Sequence, residues 1–204
     1  MTVVPRAPKA LKFKALPGLS EKQLSEHHDT LYAGYVKKLT EIEQKLETAD
    51  RSLANATSSD FRALKKEETF ATGGVYLHEL YFENLGGPGG EPTGTLRQLI
   101  EEDFGSFQKW LEDFKACGLA ARGWVILAYS WNDEKLHNYL SDIHSDGVWG
   151  CKPLLVLDVY EHAYFLDYAT GRKAYIESFF KNVDWAIVNG RVEKSGLLKQ
   201  RQKS

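Results

Sequence analysis

Sulfur is scarce in this sequence, with two cysteines and one methionine among 204 residues. Cys117 and Cys151 form neither a CxxC pair nor a disulfide framework. That excludes a small disulfide-stapled domain and a Cys-rich zinc site, and it makes a reducing, cytoplasmic setting the expectation. Charge of one sign is also missing: 26 basic side chains face 28 acidic ones, for a net −2. A protein built to coat nucleic acid needs a clustered basic surface, and the basic clusters here sit only at the two ends. No apolar run approaches the roughly 20 residues of a membrane span. The opening MTVVPRAPKALKFK is charged and lacks the apolar core of about 7–15 residues that a secretory signal needs. There is no internal repeat and no low-complexity tract. With 43% hydrophobic and 12% aromatic residues the chain has ample material for a core. Its chemistry must come from histidines, carboxylates and tyrosines.

Three prolines make residues 1–19 an irregular lead-in. Ser20 then opens a helix, and Gln23 three residues on completes a capping-box pattern. Leu24, His27, Leu31, Tyr35, Leu39, Ile42 and Leu46 follow at steps of three or four, the stripe of one long amphipathic helix with His27 inside it. A polar stretch from Ala49 to Asp60 reads as a hairpin tip. Phe70, Gly74, His78, Tyr81 and Leu85 share a face of a second helix, so an antiparallel helical hairpin is expected. The run Gly86-Gly87-Pro88-Gly89-Gly90-Glu91-Pro92 cannot be regular structure, which divides the chain into a helical-hairpin domain, 1–88, and an α/β domain, 89–204. Beyond it come two short helices broken near Gly105-Ser106, strands at Gly123–Trp131 and Lys152–Tyr160, and helical spacing again with a break at Gly171. Helices, strands, then helices predict an α+β fold, the hairpin packed on a small, about three-stranded, mostly antiparallel sheet flanked by helices.

Buried imidazoles are costly without a partner, and His27 and His78 both point inward from adjacent helices. Asp158 interrupts the apolar run Leu154–Val159, and His162 follows four residues later. A cation supplies the countercharge that such a carboxylate needs. Three imidazoles and one carboxylate suit iron, manganese or zinc.

These segments resemble the iron/manganese superoxide dismutase family. DVYEHAYF is similar to that family's signature around its last two ligands. SEHHDTLYAGYVKKL, GGVYLHELYFENLGG, EEDFGSFQKWLEDF and ARGWVILAY follow the family's order, so the resemblance spans about residues 15–190. It implies one iron or manganese ion per subunit, held by His27, His78, Asp158 and His162 with a solvent ligand. It implies an antioxidant oxidoreductase that converts superoxide to dioxygen and hydrogen peroxide by one-electron cycling. Tyr35 matches a tyrosine that lines the substrate funnel, and His144 stands where many members have a sheet glutamine. Histidine there favours iron, or use of either metal. The resemblance also implies a homodimer or tetramer in which Glu161 crosses a two-fold axis to the partner's ligand histidine and Tyr164 lies at the same contact.

Departures are informative. Gly74 stands where other members carry a helix glutamine, and Leu31 where many carry a gateway histidine, which leaves Tyr164 in need of another partner. Trp124 keeps its place in the apolar cage, while Tyr160, Phe82 and Ile126 replace tryptophans. Arg172 is a candidate for steering the anionic substrate. His28 is expected beside the site or on the surface, and His137 as structural or exposed. Two other readings compete. One is a non-haem iron oxygenase, opposed by the third histidine; the other is a catalytically silent interaction protein, opposed by retention of all four ligands.

Overall fold

The computed structural model describes residues 3–201. Helix α1 spans Glu21–Ser25, a π-helical segment Glu26–Tyr32, and helix α2 Ala33–Thr48. Helix α3, Asp60–Glu83, returns alongside α2 to close the hairpin. The continuous stripe read from the sequence is therefore interrupted. The π segment makes wider turns than an α-helix, and the buried positions become His27, His28, Tyr32 and Val36 before Leu39, Ile42 and Leu46. Leu31 and Tyr35 are left only half-buried. Ser20 does cap α1, its Oγ accepting from the Gln23 amide. The Gln23 side chain does not reach back to complete a capping box; it bonds elsewhere in the fold.

The glycine run after α3 is coil, apart from an isolated bridge at Leu85 to Val183. Helix α4, Gly94–Phe104, ends at Gly105, whose φ of 83° is the left-handed conformation that glycine adopts without strain. Ser106 caps α5, Phe107–Ala120, at the Lys109 amide. Strands β1 (Trp124–Ser130), β2 (Leu136–Ser141) and β3 (Cys151–Asp158) form an antiparallel sheet in the order β2-β1-β3. β1 is central and buried along its whole length, which is why its sequence is apolar without alternation. A 3₁₀ turn, Glu161–Ala163, and helices α6 (Phe165–Tyr168), α7 (Arg172–Phe180), α8 (Trp185–Ser195) and α9 (Leu197–Arg201) complete the chain.

The register sets up the site. Trp124 lies opposite both Asp158 and Ser141, so one end of the sheet carries Trp124, the end of β3 and the loop leading to His144. Asn84, fully buried at the end of α3, bonds both the amide and the carbonyl of Val156 on β3. Arg191 from α8 donates to Asn84, to the carbonyls of Leu80 and Leu154, and to Glu83. These bonds fix the hairpin against the sheet, with one hydrophobic core running through both.

Candidate metal centre

Where the hairpin meets the sheet end, four side chains turn toward one point. His27 comes from the π segment, His78 from α3, Asp158 from the last residue of β3, and His162 from the 3₁₀ turn. One ligand atom from each lies within 4.8 Å of the others. From Asp158 Oδ2, His27 Nε2 is 3.1 Å away, His162 Nε2 3.2 Å and His78 Nε2 3.6 Å. Donor atoms sharing one ion at about 2 Å stand roughly 3–4 Å apart, so these separations suit a common cation. His27, His78 and Asp158 are buried, and His162 keeps a partly exposed side chain.

The donor set also passes a test of chemistry. His78 Nδ1–H donates to the Gly74 carbonyl at 2.6 Å, which leaves the Nε2 lone pair facing the cluster. That Nε2 is buried and has no hydrogen-bond partner among the described residues, and a cation would satisfy it. Burial lowers the His78 pKa to about 3 and also lowers that of His27. Burial would push the Asp158 carboxyl up, but facing His162 and His27 outweighs it and holds the group well below the usual carboxylate range. Burial likewise opposes protonation of His162, and the Asp158 carboxylate wins by raising it. Neutral imidazoles and an ionised carboxylate are the ligating forms. The second oxygen of Asp158 accepts from the Tyr160 amide, and the Tyr175 hydroxyl donates to the Asp158 carbonyl.

Around the cluster the predicted neighbours are present. Tyr35 and His144 meet at 2.7 Å between the hydroxyl and Nε2. The Trp124 indole N–H donates to His144 Nδ1 at 2.9 Å, and the Trp124 ring packs edge-on to His78 at 4.9 Å. Phe82 packs 4.9 Å from His27, and Tyr160 stacks on His162 at 5.1 Å. Glu161 is exposed. Ile126 lies in β1, buried, with no part in the ring packing.

Tyr164 has partners that the sequence reading did not give it, while His28 and His137 fall where that reading expected them. Tyr164 is 2% exposed, stacks on Tyr175 and accepts from Arg172, so its partners lie within its own domain. Arg172 also donates from Nη1 to the Ala121 carbonyl, so it braces the end of α5 against Tyr164. His28 is buried and bonded to the Lys9 carbonyl and Asp29. His137 pairs with Asp133 on β2, away from the cluster. Sequence reasoning missed Tyr32, which is buried against His28 and hydrogen-bonded to Glu79, because an unbroken helical stripe puts Leu31 inward instead. It also missed Phe70 as a neighbour of His144, at 4.6 Å.

Three imidazoles and one carboxylate gathered between a helical hairpin and a small antiparallel sheet fit the class of mononuclear metalloproteins, and without thiolates they are not a Cys-rich structural zinc site. Comparison narrows the class. The alpha-hairpin domain of iron/manganese superoxide dismutases matches residues 9–86, and the C-terminal domain of the same family matches residues 92–191. The chain is 45% identical over 190 residues to a protein named superoxide dismutase [Fe] from Aquifex aeolicus, covering 91% of this chain and 89% of that one. It is similarly 45% identical to one of the same name from Aquifex pyrophilus, with the same coverage. A protein named superoxide dismutase [Mn] from Haloarcula marismortui is 42% identical over 185 residues, covering 88% of each chain. The chain belongs to the iron/manganese superoxide dismutase family, and its helical hairpin and three-stranded sheet are that family's two domains.

Proposed function

We propose that His27, His78, Asp158 and His162 hold one iron or manganese ion and that the chain removes superoxide through it. The observation that carries this reading is the convergence of three imidazoles on one buried carboxylate from four separate elements, with His78 Nε2 unpartnered and aimed into the cluster. When bound, the ion supplies one-electron chemistry: one superoxide loses an electron and leaves as dioxygen, and a second gains an electron and two protons and leaves as hydrogen peroxide. Relatives named for iron and for manganese are nearly equally similar. We assign iron, or either metal, because His144 replaces a glutamine.

The protein's part is to position, to exclude water and to hold a proton. Burial keeps His144 neutral by lowering its pKa to about 4. Since Nδ1 accepts from Trp124, the ring proton sits on Nε2 and is donated to the Tyr35 oxygen. The Tyr35 proton is then free to be given to a group on the cluster side. Burial raises the Tyr35 pKa, so the phenol stays protonated at neutral pH and can serve as that donor. Trp124, Phe82 and Tyr160 form the apolar wall that keeps bulk water off the cluster.

The domain boundary near residue 88 belongs to the same reading, supported by the coil between α3 and α4. So does a homodimer joined through exposed Glu161, whose acceptor would reach the partner's His162 and fix that imidazole's tautomer. A chain that sediments as a monomer would remove the dimer. A cytoplasmic setting fits two unpaired cysteines, and no helix among the described residues is long and apolar enough to cross a membrane. The direct test is metal content and superoxide removal in the wild type and in His78→Ala. The wild type should carry one iron or manganese per chain. His78→Ala should lose the metal and the activity together, and full occupancy in the variant would show that His78 is not a ligand.

A further inference from the structure

Gln23 lies one helical turn before His27 and is 1% exposed. A primary amide buried among apolar side chains must find both a donor and an acceptor. Gln23 finds them in the C-terminal domain: its Nε2 donates to the His162 carbonyl at 2.6 Å, and its Oε1 accepts from the Leu166 amide at 3.0 Å.

Those two backbone groups are the pair that one α-helical i to i+4 bond would join. The segment does not form that bond, because the 3₁₀ turn Glu161–Ala163 gives way at Tyr164 to the separate short helix α6. The Gln23 amide is inserted in its place. One side chain therefore satisfies both ends of the turn that carries His162, and ties that turn to the helix that carries His27. His162 is the least buried of the four cluster residues and sits on the shortest element. It depends most on such support.

We propose that Gln23 is a positioning residue that holds the His162 imidazole in ligating register and so governs how long the ion is retained. The inference rests on the ligand set proposed above. Neighbouring bonds give a built-in comparison. Ser178 also joins the N-terminal segment to the C-terminal domain, through its hydroxyl to the Pro17 carbonyl at 2.9 Å, but its hydrogen bonds reach no described residue of the His162 turn.

The test is iron release from intact, iron-loaded protein into excess ferrous chelator, followed by absorbance, with the thermal unfolding of each metal-free variant measured alongside. Gln23→Met keeps the volume and removes both bonds. It should release iron about tenfold faster or more, the scale on which groups supporting metal ligands act. Ser178→Ala should release iron at the wild-type rate even where its unfolding temperature falls. Gln23→Asn, which keeps the amide but withdraws it by a methylene, reads the same rate should the Met variant not fold. Release from a folded Gln23 variant no faster than from Ser178→Ala overturns the proposal. Wild-type protein without one metal per chain instead overturns the ligand set, so the two failures are distinguishable.

Discussion

The Trp124–His144–Tyr35 chain shows how much one donor decides. The indole has a single N–H and cannot accept, so it imposes the acceptor role on His144 Nδ1, which leaves only Nε2 to carry the proton. That in turn makes the Tyr35 oxygen an acceptor and turns its own hydrogen toward the cluster. Trp124→Phe keeps most of the apolar wall but frees the His144 ring to take the other tautomer or rotate. We expect metal content to hold near one per chain while superoxide removal per bound metal falls about tenfold, the lower end of the range for groups that orient ligands and their neighbours. Assays normalised to metal content check this, and unchanged activity would mean the indole bond does not direct the Tyr35 proton. His27, His78 and Asp158 stood out in the sequence because each is a polar group on an apolar face or run, and His162 because it follows Asp158 by four residues within DVYEHAYF. Gln23 did not, since a glutamine near a helix start already has a local explanation in the capping box, and its partners are two backbone atoms far along the chain.

Among the elements, strands and helices followed from apolar spacing wherever one period held throughout. The break between α4 and α5 at Gly105-Ser106 fell where a left-handed glycine and a serine cap require it. The π segment was invisible to that method, because a pattern search assumes one period and the wider turns move the buried face from Leu31 to Tyr32. Close approach of two backbones was likewise not legible. Helix α3 meets the loop after β2 at Gly73, where an added Cβ would stand 1.9 Å from the His144 carbonyl oxygen. By helix propensity alone, glycine to alanine should stabilise a helix by up to about 1 kcal/mol. Gly34 on α2 has nothing within 4 Å, so Gly34→Ala should show that gain. Gly73→Ala should instead destabilise by roughly 1–3 kcal/mol, because backbone cannot yield as a flexible side chain can. Urea unfolding of the two variants would decide it. Stabilisation by Gly73→Ala would show that the loop does not press on α3.

For the whole molecule, the site is where its two domains are joined, so the same residues bear on binding and on stability. In the metal-free protein, His27, His78 and His144 all have lowered pKa values, with His78 at about 3 and His144 at about 4. Below their ordinary value of about 6.5 the unfolded chain binds protons that the folded chain refuses, so stability must fall as pH falls through that window. His162 has a raised value and acts in the opposite sense, one group against three. Asp158, depressed, keeps its contribution above the ordinary carboxylate range and loses it only in stronger acid. Between pH 7 and 5 the refusal of a proton by His78 should cost on the order of 2 kcal/mol in chelator-treated protein, and His27 and His144 act in the same direction. A bound ion needs His27, His78 and His162 neutral and binds only the folded chain, so the loaded protein should resist the part of this loss that comes from the ligand histidines until the ion leaves. Urea unfolding at pH 7 and pH 5, with and without metal, gives four stabilities. The acid-induced loss should be large in the stripped protein and smaller in the loaded one. Equal losses in both would mean that the cation is not held by these imidazoles.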